Sequence, residues 1–238
     1  MSAGTVDRGV AAVAIRGLEK TFTLHTQGGT RLPVLRGVSL AVEPGECVVL
    51  ADPSGAGKST LLRAVYGNYR PQAGEILVRH AGGVVDMVGA EPREVLDVRR
   101  RTIGYVSQFL RVVPRVPAVD VVAEPLRDLG VVREVARERA RAMLAWLRIP
   151  ERLWALSPVT FSGGEQQRVN VARVFAVGYP ILLLDEPTAS LDAASCALVV
   201  GLIGQARATG AAILATAHDG TVRGEIASRV VTLDQGMA

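Results

Sequence analysis

Asp52-Pro53-Ser54-Gly55-Ala56-Gly57-Lys58-Ser59-Thr60 joins a short apolar run, Glu46–Ala51, to a helical pattern running from Lys58 to about Tyr66. Placed between a strand and a helix, such a string binds phosphate. Its glycines let successive backbone N–H groups converge on phosphate oxygens, and the helix start adds a positive end. Ser54, Gly55, Ala56, Gly57 and Thr60 would form the cradle. Lys58 would reach the β- and γ-phosphates, and Ser59 would offer its hydroxyl to Mg²⁺. The only lysines in the chain are Lys20 and Lys58. Arginine serves everywhere else, yet a tight loop suits a compact ammonium better than a planar guanidinium fork. The first position is unusual, because Asp52 stands where glycine is normal. Asp tolerates left-handed backbone. Its carboxylate, about 5 Å from a phosphate charge at an effective dielectric of ~20, would repel it by roughly 3 kcal/mol before screening. The expectation is weakened nucleotide binding, not abolished binding.

Two further groups could join that chemistry. Ile181–Leu184 reads as a buried strand and ends in Asp185-Glu186-Pro187. Carboxylates at the carboxyl edge of a sheet lie beside its phosphate loop. Asp185 would hold Mg²⁺, directly or through water, and Glu186 would polarise an attacking water as general base. Ser162-Gly163-Gly164-Glu165 opens a second helical stretch and presents another positive helix end to an anion. Two separated phosphate-binding elements suggest a site that a second subunit completes.

These stretches, FSGGEQQRVNVAR (Phe161–Arg173) and ILLLDEP (Ile181–Pro187), resemble the ATP-binding-cassette (ABC) ATPases. The resemblance implies an α/β P-loop NTPase fold of the ABC type. Such a fold has a mostly parallel sheet core, an antiparallel β subdomain and a helical lobe. It implies ATP and Mg²⁺ as cofactors, and a head-to-tail homodimer or a pairing with a second ABC subunit. In that pairing the Ser162–Glu165 signature closes over nucleotide held by the partner's phosphate loop; Glu165 replaces the usual glutamine. By the same resemblance Gln108 senses Mg²⁺ and the γ-phosphate, and His218 contacts the γ-phosphate. Ser190-Leu191-Asp192 runs along the dimer interface, and Phe22 stacks on adenine.

A narrower resemblance rests on GGTRLPVLRGVSL (Gly28–Leu40), YGNYRPQAGEI (Tyr66–Ile76), GYVSQFLRVVPRV (Gly104–Val116) and PERLWALSPVTFSGGEQQRVN (Pro150–Asn170). These segments look like the L subunit of the bacterial carbon–phosphorus lyase system, the PhnL family. That implies a cytoplasmic ABC subunit among other soluble phosphonate-pathway subunits. It would support formation of α-D-ribose 1-methylphosphonate 5-triphosphate from methylphosphonate and ATP. The chain lacks the cysteine cluster that an iron–sulfur radical site would need, so carbon–phosphorus cleavage would sit on partners. Two alternatives stand beside it. One is the ATPase subunit of a membrane transporter of the lipoprotein- or macrolide-export type. The other is an assembly module that binds ATP and turns it over poorly, which Asp52 keeps in play.

The elements that must position these residues read as alternating strands and helices, the pattern of a doubly wound, mostly parallel sheet. Strands are expected at Ala12–Leu18, Val34–Val42, Glu46–Ala51, Thr102–Ser107, Ile181–Leu184, Ala211–Ala217 and Arg229–Asp234. A hairpin is expected over Glu75–His80 and Val84–Val88, and helices over Pro92–Arg100 and Ala193–Arg207. Residues 109–159, punctuated by proline, read as a helical signature lobe inserted into a nucleotide-binding core of 1–108 and 160–238. The apolar face of that lobe is expected to carry Val132, Val135, Ala136, Ala140, Met143, Leu144 and Leu147. The 238 residues suffice for one such domain. Hydrophobic residues make up 49% and aromatics 4%, a balance that suits buried parallel strands. The net charge of +4 comes with no basic run interleaved with aromatics, which argues against nucleic acid. No apolar run approaches the ~20 residues of a membrane span. Two cysteines, Cys47 and Cys196, suggest buried thiols of a cytoplasmic protein.

Overall fold

A strand covered on both faces must be apolar at nearly every position, whereas one with a wet face alternates. CVVL, ILLLD and AILAT are of the first kind, and every residue in them is buried. In chain order the strands are β1 (Val13–Leu24), β2 (Thr30–Val42), β3 (Cys47–Leu50), β4 (Ala73–His80), β5 (Gly83–Asp86), β6 (Ile103–Val106), β7 (Ile181–Asp185), β8 (Ala212–Thr216) and β9 (Arg229–Val231). The helices are α1 (Lys58–Val65), α2 (Pro92–Arg101), α3 (Ala118–Asp128), α4 (Arg133–Trp146), α5 (Gly163–Phe175), α6 (Ala193–Ala208) and α7 (Gly220–Ile226). This computed structural model describes residues 11–24, 29–51, 53, 55–110 and 114–233.

One sheet, of order β6-β7-β8-β3-β9, is parallel; the other, of order β2-β1-β4-β5, is antiparallel. Successive side chains of the parallel strands point into two separate cores. Val49, Leu182, Leu184, Ile213 and Ala215 face a core shared with α3, α4, α5 and α6. Val48, Leu50, Ile181, Leu183, Ala212 and Leu214 face the other, shared with α1 and the antiparallel sheet. The register then aligns the strand ends. Thr216 of β8 pairs with Leu50 of β3 on one side and with Asp185 of β7 on the other. The loops that leave β3, β7 and β8 therefore emerge side by side at the carboxyl edge, where open α/β sheets bind their ligands.

The structure departs from the sequence expectations in identifiable ways. β1 and β2 extend beyond Ala12–Leu18 and Val34–Val42 into one long ribbon. The added half of β1 is polar and bulged, with register shifts on either side of Leu18 and between Lys20 and Thr21, so period-two alternation does not mark it. Pro33 is accommodated because β2 is an edge strand, where the missing N–H costs no ladder bond. Within the lobe, Ala136, Ala140, Leu144 and Leu147 are buried as expected, but Val132 and Val135 are 65% and 42% exposed. Val132 is the N-cap of α4 and lies outside its helical periodicity. Pro125, one of the prolines that punctuate residues 109–159, sits inside α3. α7 was not expected. Gly220 and Gly224 lower its propensity, and Asp219 nucleates it by accepting bonds from Thr221 N and Val222 N at 2.7 and 3.3 Å. The last strand ends at Val231, and Asp234, the end expected for it, lies outside the described residues. Among the described residues, no helix is long and apolar enough to cross a membrane.

Candidate functional site

The loop between β3 and α1 turns on two glycines with left-handed backbone, Gly55 (φ 87°) and Gly57 (φ 94°). At Gly57 even a methyl group is excluded: a Cβ there would lie 2.9 Å from Val34 Cγ1 and 3.0 Å from the Val34 carbonyl oxygen. The carbonyl of Pro53 collects the loop, accepting from Ala56 N at 3.3 Å and from Lys58 Nζ at 2.9 Å. Lys58 is 7% exposed, so its ammonium is tucked against the loop whose phosphate it would hold. Ser59 and Thr60 follow in the first turn of α1. Asp52 and Ser54, both singled out in the sequence, lie outside the described residues.

Asp185 is fully buried at the end of β7 and is surrounded by hydroxyls. Its Oδ1 accepts from Ser59 Oγ at 2.8 Å and from Thr216 Oγ1 at 3.1 Å; its Oδ2 accepts from the Tyr105 hydroxyl at 3.2 Å. A carboxylate oxygen and a serine oxygen at hydrogen-bond distance form the hard-donor pair that Mg²⁺ takes alongside phosphate oxygens. Burial, and then the Asp185 charge, push the Tyr105 phenol up to about 12, so it stays a donor at neutral pH.

Glu186 has a positive φ of 52°, a conformation that costs a non-glycine residue roughly 1–2 kcal/mol. It is retained by its surroundings. Thr216 Oγ1 accepts the Glu186 N–H at 2.9 Å. Gln167 Nε2 donates to the carbonyls of Glu186 and Pro187 at 3.3 and 3.1 Å. The turn directs the Glu186 side chain to His218, with Oε1 2.8 Å from Nε2. Gln108 follows β6 and is half-buried in the wall of a cleft of about 800 Å³ that Tyr105, Phe109 and Asn170 also line.

Ser162 caps α5 in a reciprocal box. Its Oγ accepts the Glu165 N–H at 3.3 Å, and Glu165 Oε2 takes the Ser162 N–H at 2.9 Å and the Ser162 hydroxyl at 2.8 Å. The Ser162 backbone and hydroxyl bonds hold the Glu165 carboxyl below its ordinary range. Ser162 and Gly163 are exposed, as a surface meant for another molecule requires. Gly164 packs against the loop after β7, where a Cβ would come within 3.0 Å of the Ser190 carbonyl oxygen. Asp192 caps α6, accepting from Ser195 N at 2.7 Å, and this bond lowers its carboxyl. Phe22 is half-buried and packs edge-on against Tyr69, with centroids 5.2 Å apart and Lys20 Nζ 5.1 Å from its ring.

The structure thus brings Lys58, Ser59, Asp185, Glu186 and His218 to one sheet edge. It also shows residues that motif reading did not single out. Gln167 and Asn170 are 4% exposed on one face of α5. Gln167 holds the Glu186 turn, while Asn170 Nδ2 donates to the Ser107 carbonyl at 2.6 Å, next to Gln108. The available signal was two amides at i, i+3 spacing among apolar residues of a helix. Thr216 was marked only by being the one hydroxyl in AILAT.

Residues 35–189 match the ABC transporter family. The chain belongs to that family. It is accordingly an ATPase that uses ATP with Mg²⁺. The lipoprotein-releasing system ATP-binding protein LolD of Hyphomonas neptunium is 38% identical over 221 residues, 92% of this chain and 93% of that one. LolD of Maricaulis maris is 40% identical, with 92% of each chain covered. Among solved structures, the dimeric MJ0796, a bacterial ABC transporter cassette, superposes with a TM-score of 0.84 at 28% identity, covering 92% of this chain and 93% of that one. A dimeric post-hydrolysis state of MJ0796 bound to ADP and Pi gives 0.83 at 30%, covering 94% and 95%.

Proposed function

We propose that the chain is the ATP-hydrolysing cassette of a membrane transporter, acting as one half of a head-to-tail pair. The observation that carries this is the incompleteness of the site. The chain has one phosphate loop and one exposed Ser162–Glu165 turn, each suited to a different side of a nucleotide. The similarity to dimeric MJ0796 supports the pairing, and the similarity to LolD supports a lipoprotein-release type of partner. In this reading residues 109–159 form the lobe that carries the signature. Gly55, Ala56, Gly57 and Lys58 bind the triphosphate of one site, and Ser162, Gly163 and Gly164 close on the other copy's nucleotide. Ser59 and Asp185 would hold Mg²⁺, which would supply charge neutralisation for the triphosphate. Glu186 orients the attacking water and takes its proton, His218 steadies the Glu186 carboxylate, and Gln108 reports occupancy of the site to the cleft beside it.

A second reading has its own observation. The four segments that resemble the carbon–phosphorus lyase L subunit lie partly outside the motifs shared by all cassettes. Under it the same ATP cycle serves soluble phosphonate-pathway subunits that form the ribose methylphosphonate triphosphate. The relatives compared above support the transporter reading over this one. Tagging the chain in its host, grown on methylphosphonate without phosphate, and identifying the co-purified proteins separates them. A multi-span permease is the expected result. Soluble phosphonate-pathway subunits in its place would overturn the transporter reading and establish the second.

A further inference from the structure

The hydroxyl of Tyr105, on β6, reaches Asp185 at the end of the neighbouring strand β7. Ser59 and Thr216 both meet Oδ1, while the Tyr105 hydroxyl donates a hydrogen bond to Oδ2, at 3.2 Å. An ionised carboxylate only accepts, so the Tyr105 hydroxyl is the donor. Arg63, which donates to the Tyr69 hydroxyl at 3.2 Å, lies close enough for its charge to act on the Tyr105 oxygen. The ring cannot swing away easily. It packs on Tyr66 with centroids 5.1 Å apart, and Arg99 covers the Tyr66 ring at 4.7 Å. A buried carboxylate bonded on both oxygens has one rotamer in which to meet a metal, and outer partners of this kind orient metal-binding groups.

We propose that Tyr105 is a positioning residue for Mg²⁺: by donating to Oδ2 it holds Asp185 in the rotamer that places Oδ1 beside Ser59. This rests on the reading of Asp185 as a Mg²⁺ holder. Tyr105→Phe keeps the ring and its packing and deletes only the donor. Without it the Asp185 carboxylate keeps its Oδ1 partners but can rotate, and Mg²⁺ must organise it on arrival.

The test is a Mg²⁺ titration of ATP binding, followed by calorimetry or a fluorescent ATP analogue in a Glu186→Gln background so that hydrolysis does not intervene. Tyr105→Phe is expected to raise the half-saturating Mg²⁺ concentration by about three- to tenfold, the net worth of one ordinary hydrogen bond. ATP affinity measured in EDTA should remain within error of the parent, while the thermal midpoint falls because a buried carboxylate oxygen loses its donor. Asp185→Asn is run alongside. If it shifts the Mg²⁺ requirement and Tyr105→Phe does not, the positioning role is wrong while the site reading stands. If Asp185→Asn leaves the requirement unchanged, the site reading is wrong and this inference goes with it.

Discussion

Glu186 Oε1 lies 2.8 Å from Nε2 of His218, and the two residues come from the ends of neighbouring parallel strands. The contact follows from register. Asp185 pairs with Thr216, so the residues just beyond them, Glu186 and then His218, leave the sheet together. The left-handed turn at Glu186 brings its side chain round to the imidazole. A carboxylate held in this way can accept a water proton without first losing rotamer freedom.

Glu186→Gln should lower steady phosphate release by about 10²- to 10⁴-fold, the usual worth of a general base, and leave ATP binding intact. It should also trap a nucleotide-bound pair, seen as a doubling of mass by light scattering in saturating Mg-ATP. His218→Ala should lower turnover by a smaller factor. A monomeric Glu186→Gln protein at saturating nucleotide would count against the paired site.

Lys58→Ala should weaken ATP binding by about ten- to a hundredfold, since it removes a buried cation from a phosphate contact. Asp52→Gly should act in the opposite sense. Removing a like charge from the first loop position relieves a repulsion of roughly 3 kcal/mol before screening, which solvent reduces to several-fold in affinity. Calorimetric titration of Mg-ATP into the parent and both variants checks the two signs together. Equal affinities for the parent and Asp52→Gly would show that this carboxylate does not face phosphate.

Gln167 supports the catalytic turn through backbone carbonyls, so its loss should cost both stability and rate. Gln167→Ala leaves the Glu186 and Pro187 carbonyls without that donor, at roughly 1–3 kcal/mol. The urea midpoint should fall with an unchanged slope, and kcat should fall more than KM rises. Gln167→Glu should be worse than alanine, because an ionised carboxylate buried at that position has no proton to donate.

Glu165 links the signature turn to pH. Its carboxyl is lowered in the folded state by the Ser162 bonds, so the ionised form is favoured by folding. That contribution is fully present above the ordinary glutamate range and is lost as pH falls through the lowered folded value. Chemical-denaturation midpoints measured from pH 7 down to pH 3 should therefore decline in the parent. Glu165→Gln, which keeps the capping geometry without a titrating group, should decline less. A parallel decline in both proteins would show that other carboxylates account for the acid sensitivity.

The sequence by itself determined the parts whose chemistry is contiguous. GAGKST, SGGE and DEP are each read from neighbours, and the apolar runs CVVL, ILLLD and AILAT specify strands covered on both faces. The parallel core, the phosphate loop and the Asp185-Glu186 pair follow from them. Only the tertiary structure decided which distant residues complete the site. Thr216 and Tyr105 stand 31 and 80 positions from Asp185, and Asn170 stands 63 from Ser107. Their meeting depends on strand order, β6 beside β7 and β7 beside β8, and on a register that a slip of one residue would turn to the opposite face. The extension of β1 and β2 was equally hidden, because a bulged ribbon is held by backbone bonds that leave no side-chain pattern to read. Local spacing supplies the reactive groups. Sheet register supplies the hydroxyls and amides that hold them, since only the packed chain brings those polar atoms within hydrogen-bond reach.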